Sequence, residues 1–430
     1  MKLPEKLLHF IWRYKCFRQS DLYTLDGDRL RIVDFGQYNH DAGPDFEYAK
    51  IYINDVLWIG NVEIHVTEKD WLAHRHDSDP KYDNTILHVV WEESNTDFHI
   101  IRSDQTNIPT LQLKSLVPTL FLEKYQQLSE NLNWIPCENQ IGDLENIVIY
   151  NTLDRFVVER LESKSSYFLS YLERVNGDWE KLLWIALGRA FGMKVNSSVF
   201  EDFVARLNLN LLRKYADDPL KIEAICFGIA GFLHENFEDV YFQKVQKEYQ
   251  YLKYVHAFQE LKSFEWKFLR MRPANFPTIR LAQFVAMIQY STQWFGLLMK
   301  AEEMTTVVAA FNTIKYNDYW STHYRFNQVA TSHSYTISSD FANHIFINAF
   351  IPVLFLYGNF TQHTKYVNKA LLWLQELPSE SNSIIRSFKK IGVSSNSASD
   401  SQALLYLKNS YCDQKKCLQC GIGLAILKTT

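Results

Sequence analysis

The sequence predicts an α+β protein, in which an N-terminal mixed-sheet α/β domain precedes a larger all-α domain. Over the first ~115 residues, short β-rich runs bounded by turn residues mix with short helical patterns. From about Leu116 onward, turn residues become sparse and apolar residues recur at helical spacing. A length of 430 residues suits two or three domains. We therefore assign a domain to residues 1–115, a linker to 116–140 and a helical domain to 141–430.

The N-terminal elements can be placed in order. Pro4 stands near the start of a helix, and Asn54-Asp55 has the composition of a two-residue hairpin turn. The predicted strands are Leu30–Val33, Phe46–Ile53, Val56–Val66 and Thr85–Trp91, with two short ones near 98–102 and 110–113; Glu68–His76 is predicted as a helix.

In the C-terminal part, apolar residues at helical spacing predict a series of helices. They cover Asn151–Glu173, Trp179–Phe191, Ser198–Leu212, Pro219–Leu233, Arg280–Tyr290, Thr292–Ala301 and Tyr366–Leu377.

Composition excludes several classes of protein. With 47% hydrophobic and 22% charged residues, the chain can bury a core, so disorder is excluded as the main state. The longest apolar runs, Ala224–Leu233 and Phe350–Tyr357, are shorter than the ~20 residues that span a bilayer, so no membrane association is expected. The N-terminus lacks a leader pattern and six cysteines are too sparse for a disulfide scaffold, which predicts a cytoplasmic, reduced protein.

The charge is unevenly distributed. The net charge is −4, which is not typical of a nucleic-acid-binding protein. Residues 1–130 contain 14 Lys and Arg against 21 Asp and Glu, whereas the remainder contains 31 against 28. An acidic first domain fits metal binding more easily than phosphate binding, unless cations neutralise it.

Three polar residues at two predicted strands form the first candidate site. Asp45 stands at the start of one strand, and Glu63 and His65 lie on the next. Side chains alternate along a strand, so Glu63 and His65 share a face opposite Val62 and Ile64. Adjacent strands then bring Asp45, Glu63 and His65 to one side of the sheet.

This order of elements resembles the PD-(D/E)XK, or restriction-endonuclease-like, fold. The resemblance implies that Asp45 and Glu63 bind Mg²⁺ or Mn²⁺ for phosphodiester hydrolysis, with His65 in the place of the usual lysine. A histidine there could orient water or accept its proton. The alternative is a mixed sheet with a polar patch, in which Pro44-Asp45 is only a turn.

Histidines downstream form a second group. His74, His76 and Asp79 could bind zinc or line the same cleft, with His74 and His76 supporting substrate binding. Two helical residues two positions apart point about 200° apart, so both rings meet one ion only if the helix ends between them. His88 lies within an apolar strand and suits a core or cleft-facing position better than a ligand position.

Three cysteines, Cys412, Cys417 and Cys420, follow a C-x4-C-x2-C pattern. Clustered thiolates in a reducing compartment usually hold a metal. Tetrahedral zinc and a [4Fe–4S] cluster both require four ligands, and Cys137 is the best fourth candidate because it follows a proline at the domain hinge. We favour a cluster over zinc; buried free thiols are the alternative.

An arginine-rich loop forms a further candidate site. Arg270, Arg272, Asn275 and Arg280 could bind an anionic ligand such as a phosphate. Buried arginines that tie helices together through backbone carbonyls are the alternative.

Several short sequence motifs together resemble a full-length bacterial family of unknown function, of the Bacteroidetes type. They are Ala42–Phe46, Gly60–His65, Ile86–Val90, Arg270–Pro273 and the cysteine tail. The resemblance implies no established activity, but it supports pairing Cys137 with the three cysteines of the tail.

Two functions remain open at this point. The first is a divalent-metal-dependent nuclease with a helical, metal-stapled C-terminal domain. The second is a non-catalytic binding or scaffold protein that keeps the fold. The Asp45–Glu63 pair favours the first, and the histidine at position 65 favours the second.

Overall fold

The structure is a computed structural model that describes residues 3–92 and 100–428. Its tertiary contacts divide the chain into two compact units. The first comprises Met1–Thr152, Lys390–Val393 and Leu407–Thr430, and the second comprises Leu153–Lys389 and Ser394–Tyr406. The cysteine-rich tail therefore belongs to the same unit as the N-terminal sheet.

The elements of the first 174 residues follow the predicted mixture of strands and helices. In chain order they are α1 (Glu5–Arg13), β1 (Leu22–Tyr23), β2 (Arg29–Asp34), β3 (Gln37–Tyr38), β4 (Phe46–Ile53), β5 (Val56–Thr67), α2 (Lys69–Ala73), β6 (Thr85–Glu92), β7 (Thr110–Gln112), α3 (Thr119–Glu130) and α4 (Asn146–Arg174).

One mixed sheet organises the first unit. Its strand order is β1-β2-β4-β5-β6-β7, and β3 pairs with the start of β4. The pairs β2/β4 and β4/β5 are antiparallel, whereas β5/β6 and β6/β7 are parallel. A parallel pair requires a crossover, and α2 lies within the connection between β5 and β6.

Local sequence explains the central strands. Asn54 adopts φ +53°, so Asn54-Asp55 closes the predicted hairpin, in which Ile53 pairs with Val56. Residues 85–91 of β6 are all buried, as its β-branched and apolar composition predicts. On the adjoining helix α1, which packs on β5, Leu7, Leu8 and Ile11 are fully buried. The sheet and α1 thus form the core that supports the polar residues described below.

Two N-terminal predictions need adjustment. The helix predicted over Glu68–His76 ends at Ala73. Of the short strand predicted near 98–102, residues 98–99 lie outside the described part of the chain, and Ile101 forms an isolated bridge with Asn107.

The rest of the chain is mostly helical, as predicted. The further helices are α5 (Trp179–Phe191), α6 (Ser197–Arg206), α7 (Leu209–Lys214), α8 (Pro219–Ile229), α9 (Val240–His256), α10 (Pro277–Tyr290), α11 (Trp294–Lys300), α12 (Met304–Asn312), α13 (Ser339–Ile345), α14 (Ile351–Phe360), α15 (Thr364–Glu376), α16 (Ser383–Lys390), α17 (Ala398–Tyr406) and α18 (Gly421–Lys428). A two-stranded ribbon, β8 (His323–Arg325) and β9 (Gln328–Val329), precedes α13.

Capping side chains set several of these boundaries. Asp178 accepts a hydrogen bond from the N–H of Lys181 at the start of α5. The helix predicted over Ser198–Leu212 is divided, because the Asn208 side chain accepts bonds from the N–H groups of Asn210 and Leu211 and begins α7.

One helical stretch, Ser339–Phe360, has the length and apolar composition of a membrane span. In the structure, 78% of its most apolar window is buried against the rest of the protein.

Candidate functional site

The register of β4 and β5 places Asp45 beside Glu63. Phe46, the first residue of β4, pairs with Val62. The Asp45 N–H donates to Glu63 Oε2 at 3.0 Å, and Asp45 Oδ2 accepts from the Ile64 N–H at 3.0 Å. These two reciprocal bonds fix both carboxylates where the start of β4 meets the second half of β5.

Glu63 is strongly desolvated. It is 5% exposed, and burial together with the negative charge of Asp45 raises the pKa of Glu63 to about 9. Without a cation, this carboxyl group holds a proton at neutral pH. A bound cation would reverse that preference, because it stabilises the charged form.

His9 of α1 pairs with the other carboxylate. Its Nε2 lies 3.2 Å from Asp45 Oδ2. Burial lowers the pKa of His9, but the hydrogen bond and the charge of Asp45 outweigh this effect, and the net shift is upward. His9 therefore lies within ion-pairing distance of Asp45, in a partly buried position beside Glu63, when its ring is protonated.

His65 is the centre of a chain of histidines. It is 1% exposed, with Nδ1 2.9 Å from His88 Nε2 and Nε2 3.2 Å from His74 Nδ1. Burial, followed by the neighbouring histidines, lowers the pKa of His65 to about 2, and burial lowers the pKa of His88 to about 3. Both rings are therefore neutral, as metal-binding histidines must be.

The end of α2 brings His74 and His76 to the same place. Arg75 adopts φ +61°, and the N–H groups of Arg75 and His76 bond to Leu72 O and Trp71 O. This is the hydrogen-bond pattern of a Schellman motif, which ends α2 at Ala73 and turns the chain at Arg75, between the two histidines. Their ring centroids are 5.4 Å apart, so the condition for a shared ion is met.

Aromatic packing holds His76 in position. Its ring stacks on Tyr82 at 3.7 Å, and Trp71 packs edge-on against it at 5.3 Å. Trp71 is fully buried and also contacts the rings of His65 and His88. The histidines thus lie against a rigid apolar wall.

The donor set suits a divalent metal. Among the described residues, His65, His74 and His76 offer ring nitrogens that all lie within 4.8 Å of one another. Glu63 Oε1 is 3.4 Å from His76 Nε2 and 3.6 Å from His65 Nε2. Three imidazoles and a carboxylate form a ligand set typical of zinc and other first-row metals.

A cavity of about 760 Å³ adjoins this cluster through His9. Its cationic lining residues are Lys6 and Arg13 of α1, His40 (when protonated), and Lys415 and Lys416 of the cysteine tail. Tyr14, Tyr38 and Tyr125 line it as well, and no Asp or Glu is among the described residues that line it. We call this cavity the basic groove.

The four predicted cysteines line one small cavity. Cys137, Cys412, Cys417 and Cys420 surround a space of about 10 Å³, and all four are thiols rather than disulfides. Burial raises the pKa of Cys137 to about 12 and that of Cys417 to about 11. The remaining cysteines, Cys16 and Cys226, do not line this cavity.

The arginine loop lies in the second unit and its residues are in different surroundings. Arg280 is 7% exposed, donates to Asn275 and Gln283, and its guanidinium carbon lies 3.2 Å from the Phe341 ring centroid. Arg270 and Arg272 are exposed. Arg280 therefore bonds to the side chains of Asn275 and Gln283 and not to the backbone carbonyls of the alternative, so the structure decides between neither interpretation of this loop.

Sequence patterns alone missed two residues of the site. His9 lies between Lys6 and Arg13 at helical spacing on α1. This row of polar residues on one helix face is the sequence signal that could have identified His9. His88 was predicted at a core or cleft-facing position, and it is fully buried with its Nε2 2.9 Å from His65 Nδ1. That contact depends on the parallel pairing of Glu63 with His88, which the strand sequences do not reveal.

The fold and the site define a two-unit protein with a mixed sheet, a histidine–carboxylate cluster and a four-cysteine cavity. The chain belongs to the family described as "Protein of unknown function (DUF2851)", whose model matches residues 5–383. The match includes Asp45, Glu63 and Cys137 and ends before the cysteine tail. No curated protein and no solved structure matches the chain.

Proposed function

We propose that the protein is a metal-dependent phosphodiester hydrolase that acts on nucleic acid. The observation that carries this proposal is the convergence of Asp45 at the start of β4, Glu63 and His65 in the second half of β5, and His74 and His76 just after α2. The sheet supports it, because two antiparallel pairs followed by a parallel pair is the arrangement expected of a PD-(D/E)XK-like core.

The donor set favours Mn²⁺ or Zn²⁺ over Mg²⁺. Carboxylates and water suit Mg²⁺, whereas imidazoles suit borderline metals. Glu63, His65, His74 and His76 would hold the ion, with Asp45 next to them. Such an ion supplies positive charge for the phosphate and lowers the pKa of a water molecule toward neutrality.

The protein groups have separate tasks in this proposal. His88 Nε2 accepts from the Nδ1–H of His65, which leaves His65 Nε2 as the metal-facing atom. His9 holds the Asp45 carboxylate, and the Ile64 N–H holds it from the other side. Both contacts orient Asp45 before substrate arrives, which is the preorganisation that hydrolysis requires.

The basic groove supports nucleic acid as the substrate class. Cationic side chains can neutralise successive phosphates, and tyrosines can stack on bases. Lys6 and Arg13 lie in the acidic first part of the chain, yet the described residues that line the groove include no Asp or Glu.

The test is a cleavage assay with Mg²⁺, Mn²⁺ and Zn²⁺ on labelled single- and double-stranded DNA and RNA. Asp45→Asn and Glu63→Gln should abolish cleavage, and His65→Ala should slow it severely. Asp55→Asn, at the exposed hairpin turn, is the matched control and should cleave like the wild type. Wild-type protein that cuts no substrate with any metal, or Asp45→Asn that cuts normally, would refute the assignment.

A non-catalytic scaffold that keeps this fold is the second candidate. The observation that favours it is His65, which stands in the place of the lysine of the PD-(D/E)XK pattern and contacts histidines at both ring nitrogens. A scaffold would bind the same nucleic acids without cleaving them, and Glu63→Gln would leave that binding unchanged.

A further inference from the structure

The cavity lined by the four cysteines is built from two distant parts of the chain. Cys137 lies in the turn-rich segment between α3 and α4, and the other three cysteines lie between α17 and α18. The other residues that line their shared cavity are Pro136, Leu407, Tyr411, Lys416 and Gly423. Four thiols that meet in one buried space call for a common ligand, because thiolates are strong ligands for soft and borderline metals.

The backbone of the tail is shaped around these residues. Lys415 adopts φ +50°, and the N–H groups of Lys415 and Lys416 bond to Cys412 O and Tyr411 O. A Cβ atom added to Gly423 would lie 2.2 Å from Cys417 O, so only glycine fits there. The tight loop thus directs Cys412, Cys417 and Cys420 into one cavity.

The separation of the sulfur atoms distinguishes the two candidate cofactors. In a tetrahedral zinc site with Zn–S of about 2.3 Å, the sulfurs lie about 3.8 Å apart. Among the described residues, three potential ligand atoms lie within 4.8 Å of one another at His65, His74 and His76. No three of the four cysteine sulfurs meet the same distance criterion. In any three of these sulfurs, at least one pair is therefore more than 4.8 Å apart, which exceeds the spacing in a zinc site.

A wider spacing matches a [4Fe–4S] cluster, since each cysteine then binds a different iron atom.

We propose that Cys137, Cys412, Cys417 and Cys420 hold a [4Fe–4S] cluster that joins the tail to the segment between α3 and α4. No electron transfer is required for this role. The cluster acts as a structural staple, because binding to the folded state alone adds to stability.

The experiment is metal and sulfide analysis of full-length protein purified without oxygen. About four irons and about four acid-labile sulfides per chain are expected, with broad visible absorbance that air or an oxidant bleaches. Sulfide is the critical measurement, because iron bound at His65, His74 and His76 would carry none.

Cys137→Ser and Cys417→Ser should each lose the sulfide and most of the iron. Cys16→Ser, at a half-buried cysteine outside the cavity, is the matched control and should retain both. If the site variants fail to fold, Mössbauer and electron paramagnetic resonance spectra of the wild type alone show whether a [4Fe–4S] cluster is present.

Three results would overturn the proposal. The first is about one zinc per chain with no sulfide, which would assign the site to Zn²⁺. The second is wild-type protein that holds no cluster after isolation and after reconstitution with iron and sulfide. The third is Cys137→Ser that retains the full complement of iron and sulfide.

Discussion

His88 offers the sharpest test of how the histidine cluster is organised. Its Nε2 lies 2.9 Å from His65 Nδ1, and the two residues are 0% and 1% exposed. Water therefore has little access to replace this contact after His88→Ala. His65 would lose the partner that fixes its tautomer and ring orientation.

The expected loss of metal affinity is substantial. Removal of an outer partner of a metal-binding histidine typically costs about 10–100-fold, or about 1.4–2.7 kcal/mol. The same substitution leaves a cavity beside Trp71 and a buried N–H without an acceptor, so the free energy of unfolding should fall by about 2–4 kcal/mol. His88→Gln is the matched variant, because its amide oxygen can accept from His65.

The assay is calorimetric titration of chelator-treated protein with Mn²⁺ and Zn²⁺, with circular dichroism as the check on folding. His88→Ala should bind metal about 10–100-fold more weakly than the wild type, and His88→Gln should recover part of the loss. A folded His88→Ala protein with unchanged affinity would show that His88 does not orient the ligand. If the wild-type protein binds neither ion, the proposal of a metal site at these histidines is wrong.

Three further predictions concern local structure. Arg75→Gly should raise the free energy of unfolding by about 0.5–1 kcal/mol, measured by urea denaturation, because glycine adopts the left-handed conformation without strain; a lower stability would contradict this. Burial lowers the pKa of Lys181 to about 8 while its Nζ donates to two backbone carbonyls. Between about pH 8 and about pH 10.5 only the unfolded chain keeps this proton, so stability relative to Lys181→Met should rise with pH by up to about 3 kcal/mol; a constant difference across that window would refute the shift. Replacement of Lys415 and Lys416 by alanine should weaken nucleic-acid binding and reduce its dependence on salt concentration by the equivalent of up to two phosphate contacts, whereas Lys50→Ala, at an exposed strand residue, should not; equal binding by the double variant would exclude these lysines from the groove's function.

Short-range chemistry made much of the fold predictable. Asn54-Asp55 closes its hairpin because asparagine tolerates a positive φ, and α5 starts at Trp179 because Asp178 caps it. The alternation of side chains along β5 likewise placed Glu63 and His65 on one face. In each case the deciding interaction lies within a few residues of sequence.

The sequence could also nominate ligands without showing how they meet. The cysteine spacing identified three thiols, and the proline at the hinge and the family resemblance nominated Cys137, but only tertiary packing puts Cys137 against the same cavity. His74 and His76 could share an ion only if the helix ended between them. The left-handed turn at Arg75 meets that condition, although arginine gives no local signal for such a conformation.

What the sequence determined by itself is therefore the identity and local geometry of the elements, together with the types of side chain available for chemistry. What only the tertiary structure decided is which of them converge. His9 reaches Asp45 because α1 packs on β5, and His88 reaches His65 because β6 pairs in parallel with β5. These contacts arise from burial of apolar surface far along the chain, which no local pattern encodes.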